Sequence, residues 1–380
     1  SELVKRTVFR KGRKMHIIKY IGAGIVGIAA LAAWFVSQPQ MEPLMTPERR
    51  ARIKASPHYV NGEFVPETPH EPVQPTSSFL KDFFFPTPGK TIPKDKMITE
   101  KTDLKALDPK KDIVVWMGHS SFYMQLHGKK ILIDPIADTY AAPVWFVDKA
   151  FEGSNVYTAE DIPDDIDVMV LSHDHWDHLD YDLVRKIEPK VRCVVTGLGN
   201  GGYYEKWGYP PEKIREEDWD TEVVIDKELS VWVLPARHFS GRLLHRNQTL
   251  FASFAFITPG RKVYYTGDGG YDGRFKKIGE QFGGFDLALV EDGQYNEAWH
   301  SVHMMPEESA LAGEELKAAA VIPCHNGKYP LSIHQWKEPY ERIAEASKGK
   351  SYRLITPMIG ELVEIGNREQ VFTNWWEKME

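Results

Sequence analysis

The chain has 380 residues, of which 42% are hydrophobic, so it is long enough and apolar enough for one large globular domain or two smaller ones. Its formal net charge is −7, and after residue 19 it carries 40 basic and 53 acidic side chains, a balance that argues against general binding of nucleic acids. The two cysteines, Cys193 and Cys324, are too few for a disulfide-rich fold, and both lie in apolar runs, which predicts buried thiols.

The first 36 residues have the pattern of a membrane-targeting segment. Residues 1–19 carry seven basic side chains and one acidic side chain, and residues 20–36, YIGAGIVGIAALAAWFV, carry no charge. A helix of this length spans roughly 25 Å, at the short end of the range that crosses a bilayer. The sequence therefore predicts a basic cytoplasmic segment, a membrane anchor and an extracytoplasmic body, on the periplasmic side of the inner membrane in a bacterium. The alternative is a signal peptide, cleaved near Ala30–Ala32 to release a secreted protein.

Residues 37–110 contain twelve of the 25 prolines. Proline fixes φ and removes a backbone donor, so this stretch is predicted to be an extended arm that is not a domain of its own. Residues 79–85, FLKDFFF, are too apolar to lie alone in water, and we expect them to pack on the body of the protein, with contact to lipid as the alternative.

The pattern changes at residue 111, where apolar strand-like runs begin. Strands are predicted at 113–117, 121–126, 130–134, 167–171, 192–196, 229–235, 249–257, 262–268, 287–292, 319–325 and 360–365. Helices are predicted near 179–187, 275–282, 306–316 and 333–347. The first strands are joined by tight turns, and the later strands alternate with helices. This order predicts an α/β domain over residues 111–380, with two sheets packed together and helices outside.

A dense group of ionisable residues, LSHDHWDHLD at 171–180, follows the apolar run DVMVL. Within it, His173, His175, Asp177 and His178 have the spacing H-x-H-x-D-H, and histidine and carboxylate are ligands for zinc and similar metals. His173 and His175 are two residues apart and can point the same way, while the turn directs Asp177 and His178 elsewhere. Burying these groups without a metal is costly, so the loop predicts a site for two metals roughly 3.5–4 Å apart.

One loop cannot supply every ligand of two metals. Three further residues each stand alone at the end of an apolar strand-like run: His238 after LSVWVLPAR, Asp268 after KVYYTG and His325 after AAVIPC. Singly, each is more often an ordinary loop residue. Together they have the order and the chemistry of a dinuclear site.

The ligand order resembles that of the metallo-β-lactamase superfamily. Three further stretches, WMGHSSFYMQLHGKKILIDP at 116–135, ARHFSGR at 236–242 and HMMPEES at 303–309, are similar to the N-acyl-phosphatidylethanolamine phospholipase D branch and its bacterial relatives. The resemblance covers roughly residues 50–365 and implies a four-layer αββα sandwich. It also implies two Zn²⁺ ions or other divalent metals, with His173, His175 and His238 on the first, Asp177, His178 and His325 on the second, and Asp268 between them.

The resemblance implies a hydrolase in which hydroxide between the metals attacks phosphorus or a carbonyl carbon. Asp177 is expected to accept a hydrogen bond from the attacking group, and His303 to lie near the scissile bond, although a surface position for His303 is the alternative. The favoured activity is that of a phospholipase D-type phosphodiesterase on a membrane lipid. A lactonase, a β-lactamase-type hydrolase and a non-catalytic, membrane-tethered metal-binding protein stay open, as does a homo-oligomeric state.

Five other residues within or close to these motifs are expected to support the site. His119 and Asp134 are expected to orient ligands, with core hydrogen bonding as an equal alternative. Arg242 and Arg246 are expected either to contact a phosphate or to be surface arginines. Trp176 is expected to shape the pocket.

Overall fold

The computed structural model describes residue 20 and residues 24–71, 85–243 and 245–380. Residues 1–42 and 43–380 form two separate compact units. In the first unit, residues 24–36 form a helix, α1, with mostly exposed side chains. No helix in the described ranges is both long enough and apolar enough to cross a membrane. The predicted basic segment 1–19 and most of the apolar run 79–85 lie outside the described residues, so these predictions are not tested.

Part of the proline-rich stretch is more regular than its composition predicts. Helix α2 (Pro47–Ala55) begins at Thr46, whose side chain accepts a hydrogen bond from Arg49 N. A short hairpin, β1 (Tyr59–Val60) and β2 (Glu63–Phe64), follows around an Asn-Gly turn in which both residues have positive φ. The Arg49 guanidinium binds the Glu216 carboxylate at 2.8 Å, which fastens α2 to the sheet region. The stretch 37–110 is therefore not uniformly extended.

Two seven-stranded sheets form the centre of the second unit. The first has the order β16–β3–β4–β5–β6–β7–β8, and the second has the order β15–β14–β13–β12–β11–β10–β9. The strands of the first sheet are β3 (Ile113–Gly118), β4 (Ser121–Leu126), β5 (Lys129–Ile133), β6 (Val168–Leu171), β7 (Val194–Gly197), β8 (Ile214–Glu217) and β16 (Leu362–Glu364). The strands of the second are β9 (Thr221–Asp226), β10 (Leu229–Leu234), β11 (Ser253–Ile257), β12 (Lys262–Tyr265), β13 (Leu287–Glu291), β14 (Ala320–Cys324) and β15 (Arg353–Leu354).

The main hydrophobic core lies between the sheets. It joins Trp116 and Phe122 of the first sheet to Phe254 and Leu289 of the second. Helices cover the two outer faces: α3 (Tyr181–Ile187) and α4 (Gly201–Lys206) on the first sheet, α5 (Arg274–Phe282) and α6 (Pro306–Glu315) on the second, with α7 (Glu338–Ala346) packed on α6. The predicted four-layer sandwich is confirmed.

Strands β8 (IREE) and β9 (TEVVID) are absent from the sequence-based prediction because they lie at the edges of their sheets and bury few apolar side chains. Cys324 is buried as predicted, whereas Cys193 is half-buried.

Strand direction brings the polar residues together. Strands β5 to β8 are parallel in the first sheet, and β12 to β15 are parallel in the second. Parallel strands present their carboxyl ends at one edge, where the chain turns out of the sheet. Asp134 and His325 stand just past β5 and β14 with positive φ, which marks sharp turns at these strand ends.

Candidate metal centre

The loop after β6 folds into a tight turn. The backbone N–H groups of His178 and Leu179 both donate to the carbonyl of His175 at 3.1 Å. Asp180 then begins α3 by accepting a hydrogen bond from Leu183 N at 2.9 Å. The turn brings the second half of the motif back beside the first.

Three histidines form the first cluster of the site. The Nε2 atom of His173 lies 2.8 Å from Nδ1 of His175, which lies 3.3 Å from Nε2 of His238. His173 and His238 are buried, and His175 is half-buried. Two loops 60 or more residues apart therefore present three imidazoles to one point.

The second cluster surrounds Asp177. Its Oδ2 atom lies 3.3 Å from Nε2 of His178 and 3.9 Å from Nε2 of His325. His119 is also present, with Nε2 2.7 Å from the same oxygen. The structure thus brings the three predicted residues together and adds His119 as a direct neighbour of Asp177.

Asp268 lies between the clusters. Its Oδ2 atom is 3.0 Å from Nε2 of His178 and 3.9 Å from Nε2 of both His173 and His238. Its Oδ1 atom is 3.2 Å from Nδ1 of His325. The turn that carries it needs Gly267, which has positive φ and lies so near Ala252 O that a Cβ there would stand 2.5 Å away. One carboxylate therefore reaches both clusters.

Burial sets the protonation of the first cluster. It lowers the pKa of His173 and His238 well below the ordinary histidine value, and it lowers the pKa of His175 to about 4. These rings are neutral at physiological pH, and a neutral imidazole has the lone pair that a metal requires.

The residues near Asp268 behave differently. Burial opposes a charge on His178, but the carboxylates of Asp268 and Asp177 outweigh it and raise the pKa of His178 well above the ordinary value. Burial raises the pKa of Asp268 to about 7. Although charged or polar neighbours lie within 3.3 Å of each, neither His178 Nε2 nor Asp268 Oδ1 makes a well-aligned hydrogen bond to a described residue. Buried ligand atoms without a good hydrogen bond, in a set of imidazoles and carboxylates, fit the binding of divalent metal ions.

Buried partners orient the ligand candidates. The Asp134 carboxylate contacts His178 Nδ1 at 2.8 Å and accepts hydrogen bonds from Ser172 N at 2.8 Å and Tyr265 Oη at 2.7 Å. His119 likewise orients Asp177, through the 2.7 Å contact of its Nε2 with Asp177 Oδ2. Both residues contact ligand candidates directly, a geometry that suits the orienting role and also core hydrogen bonding.

His303 lies over both clusters. Its ring centroid is 5.1 Å from that of His238 and 5.2 Å from that of His325, and its side chain is 14% exposed. The alternative of a surface histidine is therefore wrong. Its Nδ1 atom contacts the carboxylate of Glu291, a fully buried residue that the sequence analysis missed. The available signal was the position of Glu291 at the end of an apolar strand, the same signal that singled out Asp268.

Residues 129–326, more than half of the chain, match the Beta-lactamase superfamily domain. The chain belongs to the beta-lactamase superfamily. The protein is a metal-dependent hydrolase of that superfamily, and the resemblance predicted from its motifs is confirmed.

Relatives of this superfamily protein include N-acyl-phosphatidylethanolamine-hydrolyzing phospholipase D 1 of Caenorhabditis elegans, 31% identical over 307 residues that cover 74% of this chain and 86% of the relative. A Mycobacterium tuberculosis protein described as uncharacterized is 36% identical over 267 residues, covering 69% of this chain and 71% of the relative. A solved metallo hydrolase of Ignicoccus hospitalis aligns with a TM-score of 0.51 at 20% identity, covering 67% of this chain and 97% of its own, and shows the shared fold.

Arg242 fits neither predicted position, whereas Arg246 has the predicted surface position. Arg242 is buried, its Nε donates to Asp174 O at 2.7 Å, and its guanidinium lies 4.2 Å from the centroid of the Trp176 ring. It therefore binds the backbone of the metal loop and is not a surface residue. Arg246 is exposed, and its guanidinium lies 4.4 Å from the Phe239 ring. Trp176 donates to Arg242 O at 3.1 Å and so belongs to the same contact.

The proline-rich stretch reaches the site of the hydrolase through His70. One ring nitrogen lies 2.8 Å from His238 O, and the other lies 3.1 Å from Ser301 O. Arg237 donates to Pro69 O at 2.7 Å and holds this segment in place. No local motif surrounds His70, so sequence reasoning had no signal for this contact.

Proposed function

We propose that this hydrolase is a dinuclear zinc-dependent phosphodiesterase of the phospholipase D type that acts on a membrane lipid. The observation that carries the proposal is the meeting of five histidines and two aspartates in two clusters that share Asp268. The substrate class is supported by the similarity to the Caenorhabditis elegans phospholipase D, which extends over 74% of the chain.

The ligand sets follow the two clusters. His173, His175 and His238 would hold one metal, Asp177, His178 and His325 would hold the other, and Asp268 would contact both. Metals bound there supply activation of water and polarisation of the oxygens of the scissile group. The chain itself excludes bulk water from the set, because these side chains are buried or half-buried.

Hydrolysis of the phosphodiester forms a bond between a water oxygen and phosphorus and breaks the bond between phosphorus and the leaving alcohol. Asp177 accepts a hydrogen bond from the attacking water, and the leaving oxygen must gain a proton. We assign that proton to Nε2 of the protonated His303 ring, which lies over both clusters and contacts Glu291 through Nδ1, and the proton that the attacking water releases restores the protonated ring.

An exposed aromatic pair supports a lipid substrate. Trp145 and Phe146 are 76% and 65% exposed at neighbouring positions. Their loop packs through Ala141 and Ala150 on Tyr329, whose ring lies 5.3 Å from His119. Exposed aromatic side chains on a loop that packs on Tyr329 are suited to a lipid–water interface. Anchoring by residues 20–36 and an extracytoplasmic location stay predictions.

The test is a measurement of metal content together with a substrate screen on the purified full chain. We expect two metal equivalents and release of an alcohol from phosphatidylethanolamine-type lipids, N-acylated ones included. Asp268→Asn should lose that activity by at least about a hundredfold, because it removes the shared carboxylate. The matched control is Asp165→Asn, an exposed residue paired with Lys130, which should retain full activity.

Three outcomes would overturn parts of the proposal. Two metals with turnover only of a lactone or a β-lactam would remove the lipid substrate. Two metals with no turnover would indicate a metal-binding protein. Full activity of Asp268→Asn would contradict the proposal of a dinuclear site that shares the Asp268 carboxylate.

A further inference from the structure

Glu291 is a buried acid that the ligand sets proposed above do not use. It is the last residue of β13, and its side chain is fully buried. One carboxylate oxygen contacts His303 Nδ1, and the other accepts a hydrogen bond from Gly269 N at 2.9 Å. The Glu291 side chain therefore links Gly269, the residue after Asp268, to His303.

The backbone of Glu291 is held as firmly as its side chain. Its N–H donates to Thr266 Oγ1 at 2.9 Å, and its carbonyl accepts from Ser309 Oγ of α6 at 2.7 Å. A carboxyl group fixed at the end of a central strand cannot follow His303 if the histidine moves. The ring of His303 must instead turn to meet Glu291.

A buried carboxyl group is costly to retain, and burial raises the pKa of Glu291 well above its ordinary value. An apolar side chain at this point of the core would avoid that cost. The contact with His303 provides a reason for an acid here, because a histidine has two ring nitrogens and a contact at one of them leaves the other for a reacting group.

We propose that Glu291 is a positioning residue, which holds Nδ1 of His303 so that Nε2 is the atom presented to the leaving group. The inference rests on the proposed function, since it assigns the partner of the histidine that transfers the proton. Glu291 acts through His303 and not on the substrate.

The other role that geometry allows is metal ligation. Ligand atoms of Glu291, His303, Asp268 and His325 lie within 4.8 Å of one another. Two observations argue for positioning: Glu291 already uses one oxygen on Gly269 N and the other on His303. The experiment separates the two roles by measuring metal content beside the rate.

The test is a double-mutant cycle with Glu291→Ala, His303→Ala and the double variant, assayed with excess enzyme so that slow turnover stays measurable. Glu291→Ala should lower kcat by about 10–100-fold and leave KM within about twofold, with metal content unchanged. In the His303→Ala background it should have no further effect, because its partner is gone. Glu291→Gln should restore most of the rate, since its amide oxygen accepts a hydrogen bond from Nδ1.

A matched control is Glu228→Ala, which removes the acid of an outlying pair in which His127 Nε2 lies 2.9 Å from Glu228, and kcat should not change. Additive losses in the cycle would show that Glu291 does not act through His303. Loss of metal in Glu291→Ala would make it a ligand, and an unchanged kcat would make the contact irrelevant. Each of these results overturns the inference.

If the wild-type enzyme cleaves no phosphodiester, the proposed function fails and the inference is tested separately. The ¹⁵N chemical shifts of the His303 ring nitrogens report its tautomer and hydrogen bonding. They should change in Glu291→Ala and not in Glu228→Ala, and unchanged shifts would overturn the inference.

Discussion

At the residue scale, Asp134 shows how a single buried carboxylate organises the site. It contacts His178 Nδ1 and accepts hydrogen bonds from Ser172 N, Ser172 Oγ and Tyr265 Oη. The four contacts come from two sheets, so they fix the His178 ring against the core. A ligand oriented in this way loses little freedom when it binds a metal.

We expect Asp134→Asn to weaken metal binding by about 10–100-fold, because an amide cannot accept from all of these donors. Competition with a chelator of known affinity measures the effect. The control is Asp182→Asn, an exposed residue in the first turn of α3. Equal metal affinity in Asp134→Asn and the wild type would show that orientation of His178 is unimportant.

Lys328 is a second informative residue, because it is a buried base outside the ligand set. Its Nζ donates to Ile136 O at 2.8 Å, and burial lowers its pKa to about 8, against the opposing attraction of Asp180 and Asp138. Below pH 8 the lysine is charged in both the folded and the unfolded chain, so the full cost of burying the charge is present. Between about pH 8 and the ordinary lysine pKa the folded protein loses its proton first, and this cost declines.

The free energy of unfolding of the wild type, relative to Lys328→Met, is therefore expected to rise from pH 8 to pH 10.5 by about 3 kcal/mol. Urea unfolding of both proteins across this range measures the difference. A flat or falling difference would contradict the depressed pKa of Lys328.

At the element scale, the metal loop depends on a second loop that the strands place beside it. Asp174, between the first two histidines, accepts from Gly241 N at 2.7 Å and from Tyr203 Oη and Thr249 Oγ1 at 3.0 Å. Arg242 donates back to the carbonyl of Asp174. The loops that carry His173 and His238 are thereby joined, and the first cluster keeps its shape.

Asp174→Ala is expected to lower the free energy of unfolding by on the order of 3 kcal/mol, because Gly241 N loses its buried acceptor and the hydroxyls lose theirs. Thermal and urea unfolding measure this loss, and metal affinity should fall with it. Asp182→Ala, on the exposed side of α3, is the control and should stay within about 0.5 kcal/mol of the wild type. Unchanged stability of Asp174→Ala would show that the loops hold together without it.

At the scale of the whole molecule, the exposed side chains of Trp145 and Phe146 offer a test of the proposed membrane-lipid substrate. We expect the double change Trp145→Ser with Phe146→Ser to slow hydrolysis of lipid in vesicles at least about tenfold, because two aromatic side chains no longer enter the interface. Hydrolysis of a short-chain, monomeric analogue should not change, since neither residue belongs to the ligand clusters.

Val224→Ser removes an equally exposed apolar side chain on β9 and is the control for that measurement. Equal losses on vesicles and on the monomeric analogue would place the aromatic pair in catalysis and not at the membrane. No loss on either substrate would show that this surface has no part in the reaction.

Much of the site could be predicted because the candidate ligands lie in short, recognisable sequence patterns. His173, His175, Asp177 and His178 share one short motif, and His238, Asp268 and His325 each close an apolar run. A polar residue at the end of a core strand can be recognised from the sequence alone, since the apolar run and the residue that follows it are adjacent in the chain. Glu291 was not predicted, because it ends β13 beside Asp292 and no motif surrounds it.

By itself, the sequence predicted two packed sheets with helices outside and seven candidate ligands, because hydrophobic periodicity and ligand spacing are local properties of the chain. The αββα sandwich and the superfamily were implied by the resemblance of its motifs to the metallo-β-lactamase superfamily. Only the tertiary structure decided that Glu291 meets His303, that His119 holds Asp177, that His70 reaches His238 O and that Arg242 is buried against the metal loop. Most of these contacts join residues 50 or more positions apart, and each depends on which strands are neighbours and where their ends meet. Such distances arise from packing, and no local pattern in the chain encodes them.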